Sequence, residues 1–161
     1  MKPNNVTRLL DAHQIVYSVY ELPIEKLGAA ETARILNIPA NHVFKTIVVK
    51  REGKGKTILA VVSGESDVDL KALAKTLGEK KLYLPTQREA EQMTGLQAGG
   101  ISPLALINRG FQVIIDESAL QFEKINISGG QRGVNIQLPV EDFIKLVTAQ
   151  TAAISIPSTT G

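Results

Sequence analysis

The chain has 161 residues, 43% of them hydrophobic and 21% charged, and a chain of this size can bury a sizeable core unaided, which excludes disorder throughout. It has no cysteine and nothing near the roughly 20 apolar residues of a membrane span, so disulfides, thiolate metal sites and a membrane-embedded protein are excluded and a cytoplasmic location is expected. A net charge of +2 is too small to indicate nucleic-acid binding by bulk attraction, so any contact with RNA is expected at a local patch.

The first third of the chain predicts two helices and a β-hairpin. Apolar residues at helical spacing around Val6 indicate a helix, and alternation over residues 15–19 then indicates a strand. A second helix is predicted over residues 29–37 because alanine and leucine recur on one face. Residues 42–50 and 57–64 are rich in β-branched side chains and are separated by a glycine-containing loop, which is typical of a hairpin.

Helix boundaries are marked by specific capping residues in the middle of the chain. Asp69 is predicted to cap a helix that Gly78 ends. The run KKLYLP predicts a short strand, and a further helix is predicted to start at Thr86 and to end at Gly95.

The second half is predicted to be rich in strands. FQVIID, EKINIS and VNIQL are three short β-type runs, and Pro139 is predicted to open a last helix. Residues 148–161 show no periodicity and are interpreted as a flexible C-terminal tail behind one compact domain over residues 1–147. Helices interspersed with strands indicate an α/β (mixed α+β) domain with a mixed β-sheet and flanking helices.

Motifs for metals and cofactors are missing. The two histidines, His13 and His42, lie in no metal-binding arrangement, and no GxSxG, GxxxxGK[ST] or strand-linked GxGxxG motif is present. No metal and no cofactor are therefore expected.

Lys45 is the first residue that indicates chemistry. In a strand it shares a face with Val43 and Ile47, while Phe44 and Thr46 point the other way, so both faces are apolar. An ammonium group there must reach an edge, pair with an acid or serve a site, and the sequence leaves these alternatives open.

Two glycine-rich turns and one basic loop are further candidates. Gly99 and Gly100, followed by Ser102, allow backbone N–H groups to approach a ligand closely, although an ordinary turn explains them equally well. The segment 127–136 reads as a hairpin loop that displays Arg132. The basic loop 50–56 is interpreted as a solvated hairpin tip or as a contact for phosphates.

Four segments in register resemble the YbaK/EbsC family of aminoacyl-tRNA deacylases, whose relatives also occur as editing domains of prolyl-tRNA synthetases. They are VFKTIVV (43–49), DLKALAKTLGEKKL (69–82), TGLQAGGISPL (94–104) and ISGGQRG (127–133). The resemblance implies the family's compact, partly barrel-like mixed sheet. It also implies hydrolysis of the ester that joins a wrong amino acid to the 3′ end of tRNA, with Cys-tRNA(Pro) as the expected substrate.

The resemblance also implies the site residues and the partners. Lys45 matches the family's essential lysine and is expected to act with the N–H groups of Gly99 and Gly100. Aminoacylated tRNA is the expected partner, a prolyl-tRNA synthetase is a candidate partner, and the oligomeric state stays open. The positions that match the family's substrate pocket are Tyr20, Thr46, Ser102, Ser128 and Asn135.

Asn135 departs from the family pattern, because members commonly carry an aspartate there and an amide cannot hold negative charge. This difference leaves open a deacylase for another small amino acid such as alanine. A non-catalytic module that binds tRNA, oligonucleotides or a synthetase is the alternative from another class.

Overall fold

The computed structural model describes residues 2–158, which form five α-helices, three short 3₁₀ helices and ten strands. None of these helices is long and apolar enough to cross a membrane. In chain order the elements are α1 Asn5–Ala12, β1 Ser18–Glu21, α2 Ala29–Leu36, β2 Phe44–Arg51, β3 Ile58–Ser63, β4 Ser66–Val68, α3 Leu70–Leu77, β5 Leu82–Tyr83, α4 Gln87–Thr94, β6 Gln112–Asp116, β7 Lys124–Ser128, β8 Val134–Pro139, α5 Val140–Val147, β9 Gln150–Ala152 and β10 Ser155–Pro157.

A five-stranded mixed sheet with the order β5-β2-β3-β6-β9 forms the centre of the fold. The predicted hairpin is its antiparallel pair β2–β3, in which Lys45 lies opposite Val62. β3 pairs with β6 in parallel, and β6 pairs with β9 in parallel. Every residue of β3 is buried, as expected for a strand covered on both faces.

A second, antiparallel sheet with the order β1-β8-β7 has faces of opposite character. Alternation along β7 and β8 sends isoleucine and leucine side chains into a core cluster, while Asn126, Ser128 and Asn135 point to the other face. A two-stranded pair, β10-β4, completes the set. None of the three sheets described closes into a barrel, and the predicted single mixed α/β domain with flanking helices is confirmed.

The predicted helix signals act as expected. The side chain of Asp69 accepts a hydrogen bond from the N–H of Ala72 at the start of α3, and Gly78 ends α3 in the left-handed conformation. Thr86 and Glu89 form a capping box on α4, which Gly95 ends. Local sequence therefore fixes where these helices begin and end.

The C-terminal segment differs from the prediction. Residues 148–158 are not a frayed tail, because β9 and β10 pair with β6 and β4 and the side chain of Ile154 between them is fully buried. The N–H of Ile154 donates to Asp116 Oδ1 at 2.9 Å, and the carbonyl of Ile154 accepts a hydrogen bond from the backbone N–H of Asp69 at 2.7 Å. The compact unit thus extends past residue 147, and the rest of the predicted tail, residues 159–161, lies outside the described residues.

Asp116 anchors this segment. Its other carboxylate oxygen accepts a hydrogen bond from the N–H of Ser118 at 3.2 Å. Burial alone would raise the pKa of Asp116, but the hydrogen bonds from Ser118 and Ile154 outweigh burial and hold the pKa below its ordinary value. The folded protein therefore favours the ionised carboxylate.

Candidate active site

A cavity of about 410 Å³ opens where the start of β2 faces the polar side of the β1-β8-β7 sheet. This volume suits a small molecule or the end of a larger one. Its wall comes from residues 22, 25–29 and 32, from residues 43–48 of β2, from residues 84–87 and 90, from residues 98, 99 and 101, and from residues 128 and 133–135.

Lys45 is one of two lysines that the described residues place in this wall, the other being Lys26, whose Nζ donates to Gln87 Oε1 at 2.6 Å. The Nζ of Lys45 is 3.7 Å from Asp67 Oδ1, and the Lys45 and Asp67 side chains are 30% and 48% exposed. That distance is too long for a hydrogen bond, so the ammonium keeps its donors free. Lys45 thus combines two of the alternatives left open by the sequence, because it pairs loosely with an acid and also faces a cavity.

Thr46 lines the same cavity from the neighbouring position. Its Oγ1 is buried and is the one buried side-chain nitrogen or oxygen within residues 2–158 without a hydrogen-bond partner. Leaving a buried hydroxyl unpaired costs about 1–3 kcal/mol. The residue belongs to the wall, but its hydroxyl oxygen is covered by protein atoms.

Tyr20, Asn135 and Ser128 form one row across the second sheet. The register places Tyr20 opposite Asn135 and Asn135 opposite Ser128. Directly opposed residues have Cβ atoms about 5 Å apart, so the three side chains are neighbours on the polar face. Asn135 and Ser128 line the cavity, whereas Tyr20 flanks Asn135 outside the wall.

Buried amides hold Asn135 in place. The Nδ2 of Asn126 donates to Asn135 Oδ1 at 2.9 Å, and Gln137 Nε2 donates to Asn126 Oδ1 at 3.2 Å. Asn135 Nδ2 donates no hydrogen bond to any residue that the structure describes. With its oxygen occupied by Asn126, Asn135 offers the cavity an uncharged donor.

The paired glycines form a tight turn with two different roles. The N–H of Gly100 donates to the carbonyl of Gln97 at 2.8 Å, and Gly99 has a φ of 91°, as a type II turn requires at its third position. A Cβ on Gly100 would lie 2.8 Å from the Cα of Gln131, so close backbone packing demands glycine there. The expectation that Gly100 donates to a substrate is therefore corrected, because its N–H is already used.

Gly99 keeps its donor available. It lines the cavity, and its N–H has no partner among the described residues. Arg132 Nε donates to the carbonyl of Ala98 at 2.6 Å, on the same peptide unit. Because a trans peptide directs its C=O and N–H oppositely, Arg132 turns the N–H of Gly99 away from itself. Arg132, predicted only as part of a loop, thus orients this donor.

Ser102 does not reach the cavity. It is fully buried, and its Oγ accepts a hydrogen bond from the N–H of Leu104 at 3.2 Å. Its assignment to the substrate pocket is corrected to a turn cap that follows the Gly99–Gly100 turn. The hydroxyl oxygen of Ser128 likewise accepts from the N–H of Gly130, but Ser128 keeps a free donor at the cavity wall.

One flank of the cavity is fixed by charge. Lys50 of β2 lies 3.0 Å from Glu89 of α4, the helix whose first residues belong to the wall. The hydrogen bond from the backbone of Thr86 and then the contact with Lys50 lower the pKa of Glu89 to about 2. At neutral pH the strand and the helix are therefore joined by full charges.

The described residues give the wall several hydrogen-bond donors and one carboxylate, that of Glu25. Among the described residues 2–158, the wall contains no histidine. No group of three or more His, Asp or Glu side chains in that range could hold a metal. An ammonium, a backbone N–H and hydroxyl groups can bind a polar ester and stabilise negative charge that develops on it.

Asp67 is the ion-pair partner of Lys45 that the sequence did not indicate. It lies on β4, a three-residue strand that was not predicted and that follows β3 after a two-residue turn. A strand this short has too few positions for a period to be recognised.

Comparisons with known proteins were made for the whole chain. Residues 25–146 match the family model of the aminoacyl-tRNA editing domain. A protein of Enterococcus faecalis named as the Cys-tRNA(Pro)/Cys-tRNA(Cys) deacylase EbsC is 33% identical over 153 residues, covering 94% of this chain and 92% of that protein. The multifunctional Ser/Thr-tRNA deacylase ProXp-y of Escherichia coli K12 is 24% identical over 76% of this chain and 75% of its own.

Solved structures agree on the fold. A crystal structure described as a trans-editing enzyme for prolyl tRNA synthetase superposes with a TM-score of 0.79. It is 23% identical and covers 97% of this chain and 99% of that one. Likeness at this level of identity concerns the fold alone.

Proposed function

Because the chain belongs to the aminoacyl-tRNA editing domain family, we propose that it is a trans-editing deacylase that hydrolyses the ester of mischarged tRNA. The observation that carries this proposal is the cavity, whose wall contains Lys45, with its hydrogen-bond donors unused, together with Thr46 and Gly99. A cavity of about 410 Å³ admits an aminoacyl end and not the body of a tRNA.

In this reaction Lys45 binds the terminal ribose or phosphate side of the substrate. The N–H of Gly99 binds near the ester carbonyl oxygen and stabilises the negative charge that forms there. Asn135 and Ser128 hold the amino-acid portion, and Tyr20 supports Asn135 from the adjacent strand. Thr46 lines the cavity beside Lys45 and shapes its wall.

Cys-tRNA(Pro) is the leading substrate, as the name of the E. faecalis relative suggests. The cysteine thiolate attacks its own ester carbonyl, a C–S bond forms as the C–O bond to the ribose breaks, and the ribose oxygen takes up a proton. Water then cleaves the C–S bond of the resulting cyclic thioester and releases free cysteine. Proximity then replaces a protein nucleophile. An ester of alanine, the alternative, has no such group, so a water molecule in the cavity must attack it.

The first experiment measures ester loss from tRNA charged with cysteine, serine, alanine or proline. We expect the Cys-tRNA(Pro) ester to be lost fastest. Its enzymatic rate should rise with pH towards the thiol pKa of about 8.5, after subtraction of the uncatalysed rate. Fastest loss of alanine would select the alternative substrate. No acceleration with any tRNA would contradict the proposal and favour a binding module.

Aminoacyl-tRNA is the partner that follows from this function, and a prolyl-tRNA synthetase is the candidate protein partner. A trans-editing enzyme must meet its substrate where translation occurs. We therefore propose a cytoplasmic location.

A further inference from the structure

Positive charge is concentrated in two segments of the chain. Residues 50–56 and 70–81 hold eight Lys and Arg against two Glu, whereas the remainder holds ten against fourteen Asp and Glu. The mild net charge of +2 therefore conceals one strongly basic region on an otherwise acidic chain. Such segregation is typical of a surface that binds a polyanion.

The fold brings the two segments together. β5 is the outer strand of the five-stranded sheet and pairs with β2 at Lys50 and Arg51. Arg51 also contacts Glu79, which ties the base of the hairpin to the turn after α3. The hairpin tip and the approach to β5 thus form one surface, the basic edge, which consists of Lys54, Lys56, Lys80 and Lys81.

The lysines of the basic edge are available for binding. All four are exposed, and none has an ion-pair partner within residues 2–158. Internal ion pairs therefore do not explain why these charges are collected here.

The basic edge continues into the cavity wall. Residues 84–87 follow β5 directly and belong to that wall. At about 3.3 Å per residue, Lys81 lies within roughly 10 Å of Leu84 along the chain. Tyr83 stands between them with 37% of its surface exposed, and Lys81 Nζ lies 5.3 Å from the centre of its ring. An exposed ring beside cations suits a stacked base.

We propose that the basic edge binds the acceptor end of the aminoacyl-tRNA whose ester lies in the cavity, with Tyr83 available to an unpaired base. The proposal rests on the proposed function, because the position of the ester in the cavity sets where the RNA emerges. An acidic protein would satisfy the lysines equally, but it would use neither the continuity with the cavity nor the exposed ring.

The test compares Lys54→Glu/Lys80→Glu with the matched control Lys124→Glu/Lys145→Glu, which changes net charge equally at exposed lysines of β7 and α5 outside the cavity wall. For each protein, kcat/KM is measured with aminoacyl-tRNA and with the same amino acid esterified to adenosine. We expect the ratio of the two to fall about tenfold or more in the first variant and to change less than about threefold in the control. The slope of log kcat/KM for tRNA against log salt should become shallower by about 2.

Two outcomes would overturn the basic edge as an RNA surface: an unchanged ratio in Lys54→Glu/Lys80→Glu, or an equal fall in the control. Lys54→Gln/Lys80→Gln serves if the double reversal misfolds by circular dichroism, and a smaller fall in the same direction is expected. If the unmodified protein cleaves neither substrate, the proposed function fails instead. In that case, binding of unacylated tRNA by the same proteins is measured by fluorescence anisotropy. Weaker binding by Lys54→Glu/Lys80→Glu than by the control supports the basic edge as an RNA surface, and equal binding refutes it.

Discussion

Replacing Lys45 by alanine gives the sharpest test of the site, because the structure separates its chemical role from its structural one. The Lys45–Asp67 pair is long at 3.7 Å and partly exposed, so its loss should cost less than about 1 kcal/mol of stability. For a chain of this size that lowers Tm by no more than about 4 °C. Because the ammonium holds the terminal ribose or phosphate side of the substrate, its loss misplaces the ester, and kcat/KM for deacylation should fall by roughly 10²-fold.

Lys124→Ala is the control for this measurement. Lys124 is an exposed lysine of β7 that lies outside the cavity wall and has no ion-pair partner within residues 2–158. Its removal should lower kcat/KM less than about threefold. A Lys45→Ala variant that retains near-normal activity would refute the role assigned to Lys45. A collapse of its Tm would instead make Lys45 a structural residue.

Three further predictions follow from the same contacts. Ile154→Ala should cost about 2–5 kcal/mol in denaturant unfolding, whereas Ile156→Ala, at a residue 44% exposed, should cost less than about 1; equal costs would contradict the buried C-terminal segment. The lowered pKa of Asp116 means that its stabilisation is complete above its ordinary value of 3.8 and is lost as the pH falls through the lower folded-state value. The Tm difference from Asp116→Asn should therefore be large near pH 7 and shrink below about pH 4, and a difference independent of pH would oppose this reasoning. Arg132→Ala should lower kcat roughly ten- to hundredfold, because it releases the peptide unit that presents the N–H of Gly99. Arg132→Lys should retain part of the lost kcat. An unchanged kcat in both variants would show that Arg132 does not have this role.

Elements fixed by local signals were predictable from the sequence. Asp69 with Gly78 and Thr86 with Gly95 mark their helices through backbone groups within a few residues, so no tertiary contact was needed to locate them. The prediction for the segment 148–158 was wrong because the strands of this segment are held by partners that are distant in the sequence. Nothing within it reveals that Asp116, 38 residues upstream, binds the N–H of Ile154.

The candidate site was likewise predictable only in part. Lys45 was conspicuous because an ammonium on an apolar strand needs an explanation, and it does line the cavity. Gly100 and Ser102 belong to the same conspicuous motif, yet their polar groups serve the turn itself. A glycine pair that approaches another backbone has the same sequence signature as one that approaches a ligand, so the sequence could not separate them. Of the predicted contacts in this motif, only Gly99 therefore keeps a polar group available to a substrate.

Asp67 links the C-terminal segment to the chemistry. It is carried by β4, whose only sheet partner among the described strands is β10, with Ile156 opposite Asp67. β10 in turn follows Ile154, which is held by Asp69 and Asp116. An acid at 3.7 Å attracts the Lys45 ammonium without occupying its hydrogen-bond donors. The described strand β10 therefore pairs with the strand that carries the partner of Lys45, and loss of β10 should loosen that ion pair.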